Sequence, residues 1–182
     1  MFLHCTKKLL EQLNMSKADL DDSSPVQRIF SWHAHIVSIA RGKTLVAIND
    51  QTFYALIMPQ LKKKNLLNFA SEFYSALSAS LKSEGFNGSS IEFLFGGNIS
   101  YTKSYSRQIL GIINDAVKHV RYHVEDRGGW EHTDIVELTK RINRIPWLAG
   151  TRDCIFAIQK IAEDLKILGK AGDISLEREK AF

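Results

Sequence analysis

Cysteine is scarce in this chain: two in 182 residues, Cys5 and Cys154. They lie far apart and match no metal-ligand spacing, so neither a disulfide framework nor a cysteine-based zinc site is expected. Both sit in apolar flanks, "FLHC" and "DCIF", and buried free thiols are expected. No apolar run approaches the roughly twenty residues of a membrane span. The opening "MFLHCTKK" has too short an apolar part for a secretory signal, and its lysines follow that part instead of preceding it. A soluble, cytoplasmic protein with no membrane partner is expected. Also missing are G-x-S-x-G, a P-loop and G-x-G-x-x-G. No cofactor is therefore implied, and "FGGN" reads as a turn.

The composition is that of a folded chain, 45% hydrophobic and 24% charged. Its length suits one domain, drawn as residues 1–170 with a tail over 171–182. The formal net charge of +4 is mild. It permits a nucleic-acid partner but lacks the dense basic run of a dedicated binder.

"MFLHC" reads as a first strand, and "TKKLLEQLN" as a short helix with Thr6 as N-cap. Residues 29–39, 43–49 and 52–58 read as an antiparallel three-stranded meander, because hairpin-sized "ARGK" and "NDQ" separate β-branched runs. A long amphipathic helix follows Pro59, with Phe69, Phe73, Leu77 and Leu81 on one face and Gly85 as its stop. "IEFLF" reads as a further strand. Helices follow over about 105–126, in "DIVELTKRIN" and in "DCIFAIQKIAEDLKIL", giving a helical C-terminal part over about 105–168. Strands first and helices after predict an α+β fold: an antiparallel sheet of three to five strands packed against several amphipathic helices. The apolar stripe of the last helix either packs on the core or makes a homodimer contact.

The helix "SRQILGIINDAVKHV" breaks its own local rules. At about 100° per residue, Ile109, Ile113, Ala116, Val120 and Val124 form a core stripe. Arg107, Gly111, Asn114, Lys118 and Arg121 form a second stripe opposite it. An interior glycine costs about 1 kcal/mol relative to alanine, and Asn114 and Asp115 add smaller penalties. Arg107 faces the positive end of the helix dipole. Solubility alone would be better served by Glu, Lys or Gln. One explanation is that Gly111 admits a ligand or partner backbone, with Arg107 and Lys118 meeting anions. The other is that Gly111 packs closely against the chain's own sheet or another helix.

"FLHCTKKLLEQL", "SWHAHIVSIARGKTLVAINDQTFYALIM", "YSRQILGIINDA" and "RINRIPW" occur in that order. Together they resemble a family of small bacterial proteins classed as a domain of unknown function. Its pattern is CTKKL, Trp-His-Ala, NDxT, RxxLGxxND and NxxP. The resemblance covers most of residues 2–150 and implies a shared fold and no activity. It marks, among others, Cys5, Trp32, His33, Asn49, Asp50, Thr52, Arg107, Gly111, Asn114, Asp115, Asn143 and Pro146. His35 departs from the family's usual asparagine, and Ile112-Ile113 from its Ser-Met.

Two histidine pairs have metal-compatible spacing, His33 with His35 on a strand and His119 with His123 on a helix. Neither carries a protease signature, so structural or surface histidines are expected and no metal is assigned. The basic elements 62–64, 41–43 and 140–144 suit phosphate only if the fold gathers them near Tyr101, Tyr105, Trp130 or Trp147. Two functions follow. The first is a non-enzymatic binding or regulatory module for a protein or nucleic-acid partner, using His33, Arg107, Gly111, Asn114, Asp115 and Lys118. The second is a small hydrolase or nuclease with His33 as general base and Arg107 as anion clamp. A single pocket joining His33, Arg107, Asn114 and Asp115 would favour the second.

Overall fold

The computed structural model describes residues 1–23, 27–148 and 154–168. The meander is present as β2 (Ser31–Ile39), β3 (Gly42–Asn49) and β4 (Ala55–Met58), paired antiparallel in chain order. Ala40 and Arg41 turn between β2 and β3 with positive φ, the backbone twist that a two-residue hairpin requires.

The first apolar run is strand β1 (Phe2–Cys5), and its direction corrects the expected antiparallel sheet. It lies between β2 and β5 (Ser100–Lys103) and runs parallel to both. The five-stranded sheet, ordered β4-β3-β2-β1-β5, is therefore mixed. A parallel neighbour needs a long crossover, not a hairpin. Helix α1 (Lys7–Gln12) and the polar segment after it supply that crossover between β1 and β2.

Successive strand residues point to opposite faces, and β2 shows why that matters here. Trp32 is fully buried and meets Phe73 edge-on at 6.1 Å, on the face covered by α3 (Phe69–Ser83). Its neighbour His33 points to the face where α5 (Arg107–Asp126) begins. α5 packs over β2 and β3, with Ile109, Ile113, Ala116, Val120 and Val124 all buried. α6 (Ile135–Ile142), capped by Asp134, packs against α5 and β4.

Three further expectations change. The helix after Pro59 is divided at Asn68 into α2 (Lys63–Leu67) and α3. "IEFLF" belongs to helix α4 (Gly88–Phe95) instead of a strand. Asn87 caps it by accepting the Ser90 N–H at 2.9 Å, and Gly96 ends it in the left-handed region. A five-residue apolar run fits either period; these two caps decide it. The last segment starts as β7 (Cys154–Phe156), paired antiparallel with β6 (Pro146–Leu148), before α7 (Ala157–Ile167). The α7 stripe of Ile158, Ile161 and Leu165 is buried within this chain.

Both thiols are free, but only Cys5 is buried. Cys154 is exposed because it sits at the start of the short β7 strand, clear of the main sheet. The 171–182 tail lies outside the described residues. Among the described residues no helix is long and apolar enough to cross a membrane.

Candidate functional site

His4, His33 and Thr102 form one polar row across three strands. His4 of β1 lies beside His33 of β2 and Thr102 of β5. Register partners in a pleated sheet share a face, here the face on which α5 begins. All three are buried. Asp50, just past β3, completes the cluster. Its Oδ1 is 2.7 Å from His33 Nδ1, and its Oδ2 is 3.8 Å from His4 Nε2.

The hydrogen bonds assign the protons. The Ser106 N–H, at the start of α5, donates to His33 Nε2 at 3.3 Å. That nitrogen is an acceptor, so the neutral ring carries its proton on Nδ1 and donates it to Asp50. His4 Nδ1 is hydrogen-bonded to Thr102 Oγ1. His4 Nε2 is buried with no hydrogen-bond partner among the described residues. Tyr105 sets its ring edge-on to both imidazoles, at 4.8 and 5.1 Å. A cavity of about 380 Å³ adjoins the cluster, lined by His4, Asp21, Arg28, Thr102 and Tyr105 among others.

The turn that carries Asp50 is built by its neighbour. Asn49 is fully buried, and its amide donates to the Ile29 and Ser31 carbonyls at 2.8 and 3.2 Å. Its carbonyl oxygen accepts from the N–H groups of Gln51 and Thr52 and from the Thr52 hydroxyl. Arg28 adds a bond from Nη2 to the Asp50 main-chain oxygen at 2.9 Å.

Burial pulls the His4 pKa down to about 4; the neighbouring His33 lowers it further, and Asp50 opposes both. Because the folded value lies below the ordinary 6.5, folding favours the neutral ring. The His4 contribution is complete above about pH 6.5 and is lost as the pH falls towards 4. Urea midpoints of the EDTA-treated protein should therefore drop between pH 6.5 and 4, and the drop should shrink in His4→Gln. An equal drop in both proteins would contradict this assignment. Cys5 follows His4 in sequence but shares no chemistry with it. Burial pushes its thiol up to about 12, so it is no nucleophile at neutral pH.

The sequence-predicted site residues divide into two groups. His33 belongs to the buried cluster, whereas Arg107, Gly111, Asn114, Asp115 and Lys118 lie exposed on α5. Neither of the two best-formed cavities among the described residues is lined by His33 or by these α5 residues. Lys118 donates to Asp115 at 2.8 Å in an exposed pair. Among the described residues, a methyl group built on Gly111 would meet nothing within 4 Å, so no close packing there explains that glycine. Tyr122, three turns further along, is 74% exposed on the same side. The sequence reading missed it, although the helical wheel places it beside Lys118.

His33 and His35 take different partners. His33 engages Asp50, while His35 Nδ1 lies 2.9 Å from Thr6 Oγ1. His119 packs its ring 6.2 Å from Trp147. Among the described residues, the group that brings three candidate ligand atoms within 4.8 Å of one another is His4, His33 and Asp50. His4 and Asp50 were absent from the predicted site because strand order, not sequence spacing, brings them to His33. As for stacking platforms, Trp130 and Trp147 are buried. Arg144 of the 140–144 basic element is held by Glu84 through two 2.9 Å bonds.

The chain belongs to the family described as a domain of unknown function, DUF6933, which matches residues 2–160. No curated protein matches it.

Proposed function

We propose that this is a non-enzymatic protein-binding module whose contact surface is the solvent face of α5. The observation that carries the reading is Gly111: an exposed helix-interior glycine with open space where its Cβ would be. The glycine costs helix stability and gains no contact among the described residues, so the compensation is sought outside, where a partner needs close approach. The surrounding residues fit. Arg107 and Tyr122 are exposed, and Arg and Tyr are enriched among residues that dominate interface energies. Asn114 adds a donor and an acceptor in the same stripe.

A protein is favoured over nucleic acid. Asp115 already neutralises Lys118, and Glu125 and Asp126 are exposed on the same helix. Phosphate binding favours a face of one sign. The partner would offer a carboxylate to Arg107 and an apolar recess to Tyr122. The hydrolase reading with His33 and Arg107 has less support, because both nitrogens of His33 are engaged within the fold.

Cross-linked capture from the native host tests the reading. One partner held by wild type should be lost by both Arg107→Ala and Tyr122→Ala, each of which should unfold at the wild-type urea midpoint within about 0.5 kcal/mol, as surface substitutions do. The same partners captured by all three proteins would sink it.

A further inference from the structure

A different part of the molecule carries a second site. We propose that His4 Nε2 and Asp50 Oδ2 are the two protein ligands of a divalent transition-metal site, with Zn²⁺ the best-matched ion. The inference is independent of the α5 reading.

Four observations converge. First, His4 Nε2 is buried and has no hydrogen-bond partner among the described residues, while the residue as a whole is only 2% exposed. Buried polar atoms are nearly always satisfied, and an exception calls for an explanation such as a missing ion. Second, the atom facing it is Asp50 Oδ2, at 3.8 Å. That is too long for a hydrogen bond. It suits two ligands that each hold one ion at roughly 2.0–2.2 Å.

Third, the outer contacts are those that metal ligands use. His4 hydrogen-bonds through its other nitrogen to Thr102 Oγ1. With the proton on Nδ1, Nε2 presents its lone pair to the gap. Asp50 is held through its other oxygen by His33 Nδ1, and His33 is itself fixed by the Ser106 N–H. Ligating imidazoles and carboxylates are characteristically oriented by such hydrogen bonds. This chain of bonds also excludes His33 as a ligand in the present arrangement. It makes His33 a positioning residue for Asp50. Fourth, the cluster adjoins the 380 Å³ cavity, which His4 helps to line. Positions that the protein leaves open would be filled from there by water or a small anion, with Arg28 on the cavity wall.

The donor set selects the ion. A neutral imidazole with one carboxylate suits Zn²⁺ and its neighbours; Mg²⁺ and Ca²⁺ prefer oxygen alone. Cys5, despite its position next to His4, does not contribute, because successive strand residues face opposite sides.

The test uses the full chain, stripped with EDTA and titrated with Zn²⁺ and with Co²⁺ as a coloured substitute. Calorimetry should give one equivalent of Zn²⁺. Co²⁺ should give visible absorption that Zn²⁺ abolishes. His4→Gln and Asp50→Asn should each weaken binding by more than about 10-fold, and His33→Gln by about 10- to 100-fold through lost positioning. Should the variants fail to fold, wild type alone still decides. Nitrogen NMR of the His4 ring should show Nδ1 protonated and Nε2 shifted by added Zn²⁺. No stoichiometric Zn²⁺ uptake by wild type overturns the proposal. So does a His4 Nε2 that stays protonated at saturating Zn²⁺, or undiminished binding by a folded His4→Gln.

Discussion

Asn49→Ala is expected to lower the unfolding free energy by about 4 kcal/mol or more, since each buried polar group left unpaired costs about 1–3 kcal/mol. The side chain is fully buried and joins three segments at once. Removal strands the Ile29 carbonyl, which loses the 2.8 Å bond from the Asn49 amide. It also strands the Thr52 N–H and weakens the support of Gln51. Phe53 takes a positive φ in this turn, a strained state that persists only while the surroundings impose it. Losing Asn49 should therefore also release Asp50 from the histidines. Urea unfolding of Asn49→Ala and Asn49→Asp checks the effect. Aspartate keeps the acceptor and loses the donor, so it should fall between wild type and alanine. A loss below 1 kcal/mol for alanine would contradict this account of the turn.

Asn143→Ala should follow closely, at about 3–4 kcal/mol by the same reasoning. Asn143 is fully buried at the end of α6 and acts as a substitute strand for the edge of the sheet. Its Oδ1 accepts the Ala55 N–H at 2.6 Å, and its Nδ2 donates to the Ala55 carbonyl at 3.0 Å. Those two groups point away from β3, so nothing in the sheet can satisfy them. Its own carbonyl also accepts the Ile158 N–H at 3.2 Å, which ties the start of α7 to the same corner. The side-chain loss should open the β4 edge, a place prone to pairing with another chain. Asn143→Ala should thus unfold earlier and associate more readily than wild type. Unchanged stability together with unchanged sedimentation would contradict the assignment.

These two residues bear on the pattern by which the sequence resembles its family. Asn49, Asp50, Thr52 and Asn143 are among the positions that the resemblance marks, and all are buried within hydrogen-bond networks that hold the turn and the β4 edge. The pattern could not reveal this, because a buried asparagine and a binding asparagine look alike in sequence. The meander, α5 and its core stripe were legible, since apolar period and turn residues decide them locally. Strand direction was not. β1 joins β2 and β5 as parallel neighbours through long connections, and no local signal encodes that choice. The histidine cluster inherits the same blind spot: His4, His33 and Asp50 meet only because β1 enters beside β2. The α5 stripe was legible for the opposite reason. Gly111 and Asn114 break helix preference on a solvent face, and local preference is what a sequence displays.

Gly111 is therefore the most direct probe of the α5 face. If Gly111 serves a contact outside the chain, nothing in the fold needs it. Gly111→Ala should then raise the unfolding free energy by about 1 kcal/mol through helix preference alone. The measurement is equilibrium urea unfolding of both proteins under identical conditions. A higher midpoint with an unchanged slope is the predicted result. A lower midpoint would show that the glycine serves the chain's own packing, and it would contradict the reading of α5 as a binding face.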